Sequence, residues 1–406
     1  MILLRLAARN ATRNFQRTLL TAGTVVFGTA LLTVGLAWIN GIFGQMFSLA
    51  AASTGDVRLV DPDFAAREDL FPMYEYIPDV GPLSEKVREV PGVIDVYPRI
   101  ITGVTLTVGD EIGDVFGLAV GAPKEWYEKR LELGKLLVDG RLLEEKDDLV
   151  LGKTLSDRLN AKVGSEVVLL GQTQDGSMSP VKGTVVGIVS GGNALIDQQV
   201  FMNLEPIQYM VDIEGGATEL LVYGDDPSSA VPLAERVRSV GGSLLVQAWS
   251  QRDPWSGMMN LINVVRGTLS GIIVFITALG VWNTMMMSVL ERTGEIGVMR
   301  AMGLSSRGAV FLFVIEALTI AALGGMVGVL LGSVGAGFLE TYGVELGDQV
   351  TQNTPLPIRS RMFADLSWSV VGTSFGLGLG MAVVGSFPPS FRAALIQPVT
   401  AMRSRR

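Results

Sequence analysis

Residues 268–290, TLSGIIVFITALGVWNTMMMSVL, run directly into residues 291–303, ERTGEIGVMRAMG. The first stretch carries no charged side chain and is long enough to cross a bilayer core, which needs roughly 20 apolar residues. The second mixes Glu291, Arg292, Glu295 and Arg300 with Ile296, Met299 and Met302. A membrane span therefore opens onto a short, charged helix. On that helix Ile296, Met299 and Met302 are expected to form an apolar patch, with Glu295 and Arg300 on different flanks. A short helix of this kind suits docking of a soluble subunit. The plainer reading is an interfacial loop between two spans.

Three further stretches are long and apolar enough to span: 18–39 with an apolar continuation to 52, 309–338, and 366–387. Gly is frequent in the last two, as in closely packed membrane helices. Charge orients the set. Arg5, Arg9, Arg13 and Arg17 precede the first span without an acid, and Arg392, Arg403, Arg405 and Arg406 follow the fourth. The segment 41–264 instead holds 33 acids and 18 bases, a net charge of −15. The positive-inside rule places both termini and the 291–308 loop in the cytoplasm, and the acidic segment and the 339–365 loop outside. The expected setting is the plasma (inner) membrane. The first apolar region exceeds the ~7–15 residues of a signal-peptide core, so it reads as an uncleaved anchor. Before it, Leu4, Ala8, Ala11 and Phe15 share a helical face opposite the four arginines, which suits a helix lying on the inner membrane surface. The same arginines also serve to set topology.

With 406 residues and a mean hydropathy of +0.40 alongside 18% charged residues, the chain combines spans with a soluble part. It has no Cys and no His. Disulfide staples, thiolate chemistry and the commonest general base and metal ligand are thereby excluded. The pI near 4.9 argues against a nucleic-acid partner. From 55 to about 250 the pattern becomes short alternating runs at 57–60, 103–108, 115–120, 166–170 and 184–189, which predict strands. Helical stretches at 84–90 and 228–240 stop at Pro91-Gly92 and Gly241-Gly242. The outer segment is thus a mixed α+β domain, expected to have two lobes. Its hairpin loop at 171–180 offers Gln174, Asp175 and Met178 either as a solvated turn or as a projecting contact for a soluble partner.

Two other groups of residues stand out. Glu316 interrupts the third span about two turns from its cytoplasmic end. An ionisable group there is a functional candidate, with bonding between neighbouring helix ends as the reading its shallow depth favours over proton transport. Phe43, Met46 and Phe47 continue the first span, and Met258, Met259, Ile262 and Val265 approach the second. Such flexible apolar side chains suit lipid chains, or equally helix packing in a stalk.

The segment 291–303 resembles the E-R-T-x-E-I-G-x-x-R-A-x-G motif of the FtsX-like, MacB-type ABC transporter permease family. Leu6-Ala7-Ala8-Arg9-Asn10 with Arg13-Asn14 and Arg17-Thr18 is similar to that family's N-terminus. Pro389-Ser390-Phe391-Arg392-Ala393-Ala394, with Pro398 and Ala401-Met402-Arg403, is similar to its C-terminus. In layout the chain most resembles the lipoprotein-releasing (LolC/LolE-type) permeases, although its 171–180 hairpin is shorter than the chaperone-binding hook of one of them. The resemblance implies four transmembrane helices plus an extracytoplasmic α+β domain of MacB periplasmic-core type. It implies the following order: an amphipathic helix (1–17), span one and stalk (18–52), the outer domain (53–254), stalk and span two (255–290), a coupling helix (291–308), span three (309–338), an outer loop (339–365), span four (366–387) and a tail (388–406). It further implies an ABC ATPase subunit as partner, holding ATP and Mg, and a second permease copy or paralogue. No G-x-x-x-x-G-K-[ST] phosphate loop occurs in this chain, consistent with an ATPase on another. Arg292, Glu295, Ile296, Met299, Arg300 and Met302 would then form the ATPase-coupling element.

Four readings follow. The first is a non-catalytic permease subunit that moves the outer domain to extract or export a lipoprotein or other lipidic cargo, handed to a periplasmic chaperone or adaptor. The second is mechanotransmission in a tripartite efflux system, and the third is regulation of a cell-wall hydrolase. The fourth, a membrane enzyme, lacks a visible nucleophile–base pair or metal cluster.

Overall fold

The computed structural model describes residues 15–109, 114–226, 229–253, 255–345 and 361–397. The amphipathic face of Leu4, Ala8, Ala11 and Phe15 with its arginines, and the C-terminal motif from Pro398 to Arg406, lie outside the described side chains, as does 346–360 of the outer loop. The chain divides into a helical unit (Met1–Phe43, Leu261–Val344, Phe363–Arg406) and an α+β unit (Gly44–Asn260, Glu345–Met362).

Long helices account for the helical unit. They are α1 (Phe15–Thr54), then, numbered after the α+β helices given below, α8 (Trp255–Glu291), α10 (Ser306–Tyr342) and α11 (Trp368–Leu395), with the short α9 (Thr293–Ala301) between α8 and α10. All four long helices have the length and apolar composition to cross a membrane. α11 runs through Pro388 and Pro389 and ends only at Leu395. Glycines let α10 approach α1 backbone to backbone. A methyl group at Gly328 would lie 2.6 Å from the Val26 carbonyl oxygen, and one at Gly332 would lie 2.8 Å from that of Ala30. One core of this unit gathers Val25, Val281, Met285, Val289, Ile296, Phe313, Ala317, Ala321, Ala382 and Ala393.

Among the described residues the large sheet of the α+β unit has ten strands: β1 (Val57–Val60), β2 (Val93–Thr107), β3 (Val115–Ala122), β4 (Leu137–Gly140), β5 (Asp148–Gly152), β6 (Glu166–Gln172), β7 (Met178–Val189), β8 (Gln199–Asn203), β9 (Glu219–Gly224) and β10 (Leu245–Ala248). Its helices of five residues or more are, among the described residues, α2 (Pro62–Ala66), α3 (Val80–Arg88), α4 (Lys124–Lys129), α5 (Lys153–Leu159), α6 (Leu204–Val211) and α7 (Ala230–Arg238). The long strand β2 makes two lobes of one sheet. Its first half pairs with β9, which continues through β1 to β10. Its second half pairs with β3 and β6, and the path β2-β3-β8-β5-β7-β6 returns to β2 as a closed ring. Pro98 sits where β2 has a partner on one side only, the position in which a strand tolerates proline. The strand expected at 103–108 is thus the second half of a longer one.

A buried ionic cluster ties the open lobe together. Glu219 on β9 accepts from Arg58 of β1 at 2.7 Å and from Arg99 of β2, while Arg58 also reaches Glu68 at 2.9 Å. Arg252 approaches Glu219 at 4.0 Å. Burial alone would raise the Glu219 carboxyl, but Arg99, Arg58 and Arg252 outweigh it and hold the group well below the usual carboxylate range. A carboxylate depressed on folding adds stability above its unfolded value, about 4.3, and that stability is lost as pH falls below it. We predict that Glu219→Gln, which leaves the arginines facing one another, costs about 3–5 kcal/mol and flattens the acid limb of stability. Near-ultraviolet circular dichroism of the full chain in detergent, followed from pH 7 to pH 3, checks both.

A clamped helix at the end of the second and third membrane helices

α8 ends at Glu291, and Arg292 occupies the position before the first residue of α9. After α9, Gly303 adopts a φ of 104°, a conformation that favours glycine, and turns the chain toward α10. Ser305 then caps α10 by accepting from the Gly308 backbone N–H.

Three contacts fix α9 to the bundle. Ile296, 1% exposed, enters the core formed by α1, α8, α10 and α11, with Met299 packed beside it. Arg292 Nη1 lies 3.1 Å from Glu316 Oε1 of α10 and 3.4 Å from Oε2. Their side chains are 12% and 6% exposed, so each charge is neutralised by the other away from water. Arg300 donates from Nη1 to the carbonyl oxygens of Ala394 and Ile396, each at 2.6 Å, and from Nη2 to Ser306 Oγ at 2.9 Å. A cation on the last carbonyls of α11 satisfies groups the helix itself leaves unpaired and matches the negative end of its dipole.

The opposite face of α9 looks outward. Glu291, Glu295, Val298 and Met302 are exposed, Met302 at 77%. The six residues singled out on this helix therefore divide by direction. Arg292, Ile296 and Arg300 hold α9 to its neighbours, Met299 is half-buried, and Glu295 and Met302 face outward. Ile296 and Met302 do not share one patch, because the bundle takes the Ile296 side. Val298 belongs to the outer face and was missed. Its four-residue step to Met302 was the available signal.

The remaining candidates are placed as follows. In the α+β unit Met46 is buried, Phe47 lies against Trp249 with ring centroids 5.1 Å apart, Met258 packs on the domain core, and Met259 is exposed. In the helical unit Ile262 is buried, and Phe43 and Val265 are half-buried. The hairpin tip is folded back rather than free. Gln174 donates its backbone N–H to Val211 at 2.9 Å and its side-chain amide to Asp212 at 3.1 Å, while Met178 is exposed. Asp175 accepts from the hydroxyl of Ser177, from that of Thr173 and from the Ser177 N–H, and these bonds hold its carboxyl at about 2. Sequence reasoning missed the Glu219 cluster and Arg266, which donates to Asn40.

Four apolar membrane-length helices, a large α+β domain between the first and second, and a clamped helix between the second and third define a polytopic membrane protein with an extracytoplasmic domain. Residues 18–240 match the MacB-like periplasmic core domain and residues 267–398 the FtsX-like permease C-terminal domain, so the chain belongs to the FtsX-like, MacB-type family of ABC transporter permeases. Among its relatives, the lipoprotein-releasing system transmembrane protein LolC of Neisseria meningitidis is 24% identical, with 98% of this chain and 97% of the relative covered. LolE of Haemophilus influenzae is 22% identical over 94% of this chain and 92% of its own length. The macrolide export ATP-binding/permease protein MacB of Wolinella succinogenes is 24% identical over 99% of this chain, which spans 60% of that relative. The periplasmic region of MacB from Actinobacillus actinomycetemcomitans aligns with 49% of this chain and 92% of its own, at 14% identity and a TM-score of 0.35.

Removing Arg292 would leave the Glu316 carboxylate buried without its partner. Arg292→Ala is expected to destabilise the protein by about 3–5 kcal/mol, and Arg292→Ala with Glu316→Gln by much less. Thermal unfolding of the three proteins in one detergent measures the difference. Equal losses in the single and double variants would show that the pair does not act as a unit.

Proposed function

We propose that this chain is the non-catalytic transmembrane subunit of an ABC transporter complex, and that α9 receives the motion of a separate ATPase subunit, which holds ATP and Mg. The observation that carries the reading is the two-sided character of α9. One side is joined to α10 by Arg292 and Glu316 and to the end of α11 by Arg300. The other side presents Glu295, Val298 and Met302 to a partner. A push on that outer side would be delivered to three membrane helices at once. Apolar Met and Val between acidic side chains suit a groove with an apolar floor and basic rim.

In this reading both termini and α9 face the cytoplasm of the plasma membrane, two permeases (copies or paralogues) assemble with two ATPase subunits, and the outer domain moves with the nucleotide cycle. The cargo is a lipoprotein or another lipidic molecule, a reading that the similarity to the lipoprotein-releasing proteins LolC and LolE over nearly their whole length favours. The folded-back hairpin tip favours a second reading, in which the outer domain passes motion to a periplasmic adaptor or a cell-wall hydrolase without handing over a lipoprotein.

The test separates the two faces of α9. Val298→Ala with Met302→Ala is expected to leave thermal stability unchanged and to weaken ATPase association about tenfold or more, as truncation of interface anchors does. Arg300→Ala is expected to keep association while cargo release per ATP hydrolysed falls. Association, turnover and release are measured in one reconstituted preparation. Unchanged association in the first variant, with unchanged release in the second, would remove α9 as the coupling element.

A further inference from the structure

Arg266 is the one basic residue of α8, and it immediately precedes the uncharged stretch 268–290. It donates from Nη2 to Asn40 Oδ1 of α1. Its Nε is buried without a hydrogen-bond partner, and among the described residues it has no salt bridge to a carboxylate. With Leu36, Asn40, Ser369, Val370 and Thr373 it lines a recess of about 40 Å³, room for two or three water-sized groups. Ser369 and Thr373 stand on the exposed side of α11.

The depth of this recess follows from its surroundings. The Ala364 N–H donates to Leu339 of α10 and the Asp365 N–H to Ala37 of α1, so the Ala37–Asn40 turn of α1, the last turns of α10 and the start of α11 at Trp368 lie at one level. At that level Trp368 is 89% exposed, and Phe338 and Tyr342 pair with ring centroids 4.6 Å apart at exposures of 61% and 60%. Exposed Trp and Tyr mark the membrane–water boundary, where phospholipid phosphates sit. An arginine serving only as an anchor would extend all its donors into water. Arg266, half-buried, is instead held by Asn40 at the mouth of an open recess, and its Nε–H is buried without a hydrogen-bond partner, which is costly for a polar donor.

We propose that Arg266, with Ser369 and Thr373, binds the phosphate of a phospholipid headgroup in the leaflet at the level of Asn40, the outer leaflet if the termini are cytoplasmic. The guanidinium fork matches two phosphate oxygens, the hydroxyls supply further donors, and the lipid's acyl chains lie along the apolar faces of α8 and α11. This assignment rests on the four membrane helices and not on ATP coupling.

Native mass spectrometry of the full chain in detergent tests it, with phosphatidylglycerol and a diacylglycerol of the same chains as probes. The parent is expected to retain the phospholipid about tenfold better, as a charge-assisted bond allows. Arg266→Gln should bring the two lipids level, and Arg266→Lys should keep part of the preference. Thr373→Val, which leaves the cation in place, should lower the preference roughly threefold and serves if Arg266→Gln does not fold. Equal retention in the parent, or an undiminished preference in both Arg266→Gln and Thr373→Val, overturns the proposal. Displacement of the lipid by millimolar inorganic phosphate would overturn it in favour of a free-anion site.

Discussion

The close approach of α10 to α1 is the contact on which the helical unit depends. In a bilayer the helices gain little by burying apolar surface against one another, so packing has to come from shape and from satisfied polar groups. Gly328 and Gly332 supply the shape by letting the α10 backbone rest on the carbonyls of Val26 and Ala30. Ala321 and Ala317, about two and about three turns nearer the start of α10 than Gly328, extend the small-residue surface toward Val25. This seating places Glu316 where Arg292 reaches it.

A second dependency lies in the α+β unit. β2 belongs to both lobes, so the open sheet and the closed ring share one rigid strand. Arg99 on β2 is bound to Glu219 on β9 and donates to the backbone carbonyl of Ser53 at the end of α1. Tyr223 makes a parallel connection, accepting from Trp126 Nε1 at 2.7 Å and donating to the Ala52 carbonyl at 2.7 Å. The last turn of α1 is thus anchored to two neighbouring strands. A domain built this way is suited to move as a body rather than to deform strand by strand.

Much of this architecture was legible in the sequence, because membrane spans and alternating strands are local patterns. Residues 268–290 announce a span through the absence of any charge, and 57–60 and 115–120 announce strands through β-branched and apolar runs. What could not be read was long-range. Glu219 finds Arg58 and Arg99 at separations of 161 and 120 residues, and Arg300 finds the end of α11 at 94 and 96. No periodicity encodes such pairings. The first half of β2 was hidden for a different reason: Pro98 argues against a strand unless one edge is known to be open. On α9 the residue types pointed to a special helix, but only the packing of Ile296 shows which side is occupied and which faces outward.

That division of faces is the centre of the account, and it is open to a direct measurement. The chain contains no cysteine, so a single one at Met302 gives an unambiguous cross-linking site, with Ser177 on the hairpin as the control. Treated with a short thiol-reactive cross-linker in membranes that contain the ATPase, the Met302→Cys chain is expected to join the ATPase subunit, with a yield that changes when nucleotide is added. The Ser177→Cys chain is expected not to join it. Absence of any Met302 cross-link to an ATPase that nevertheless co-purifies with the permease would contradict α9 as the point where its motion enters.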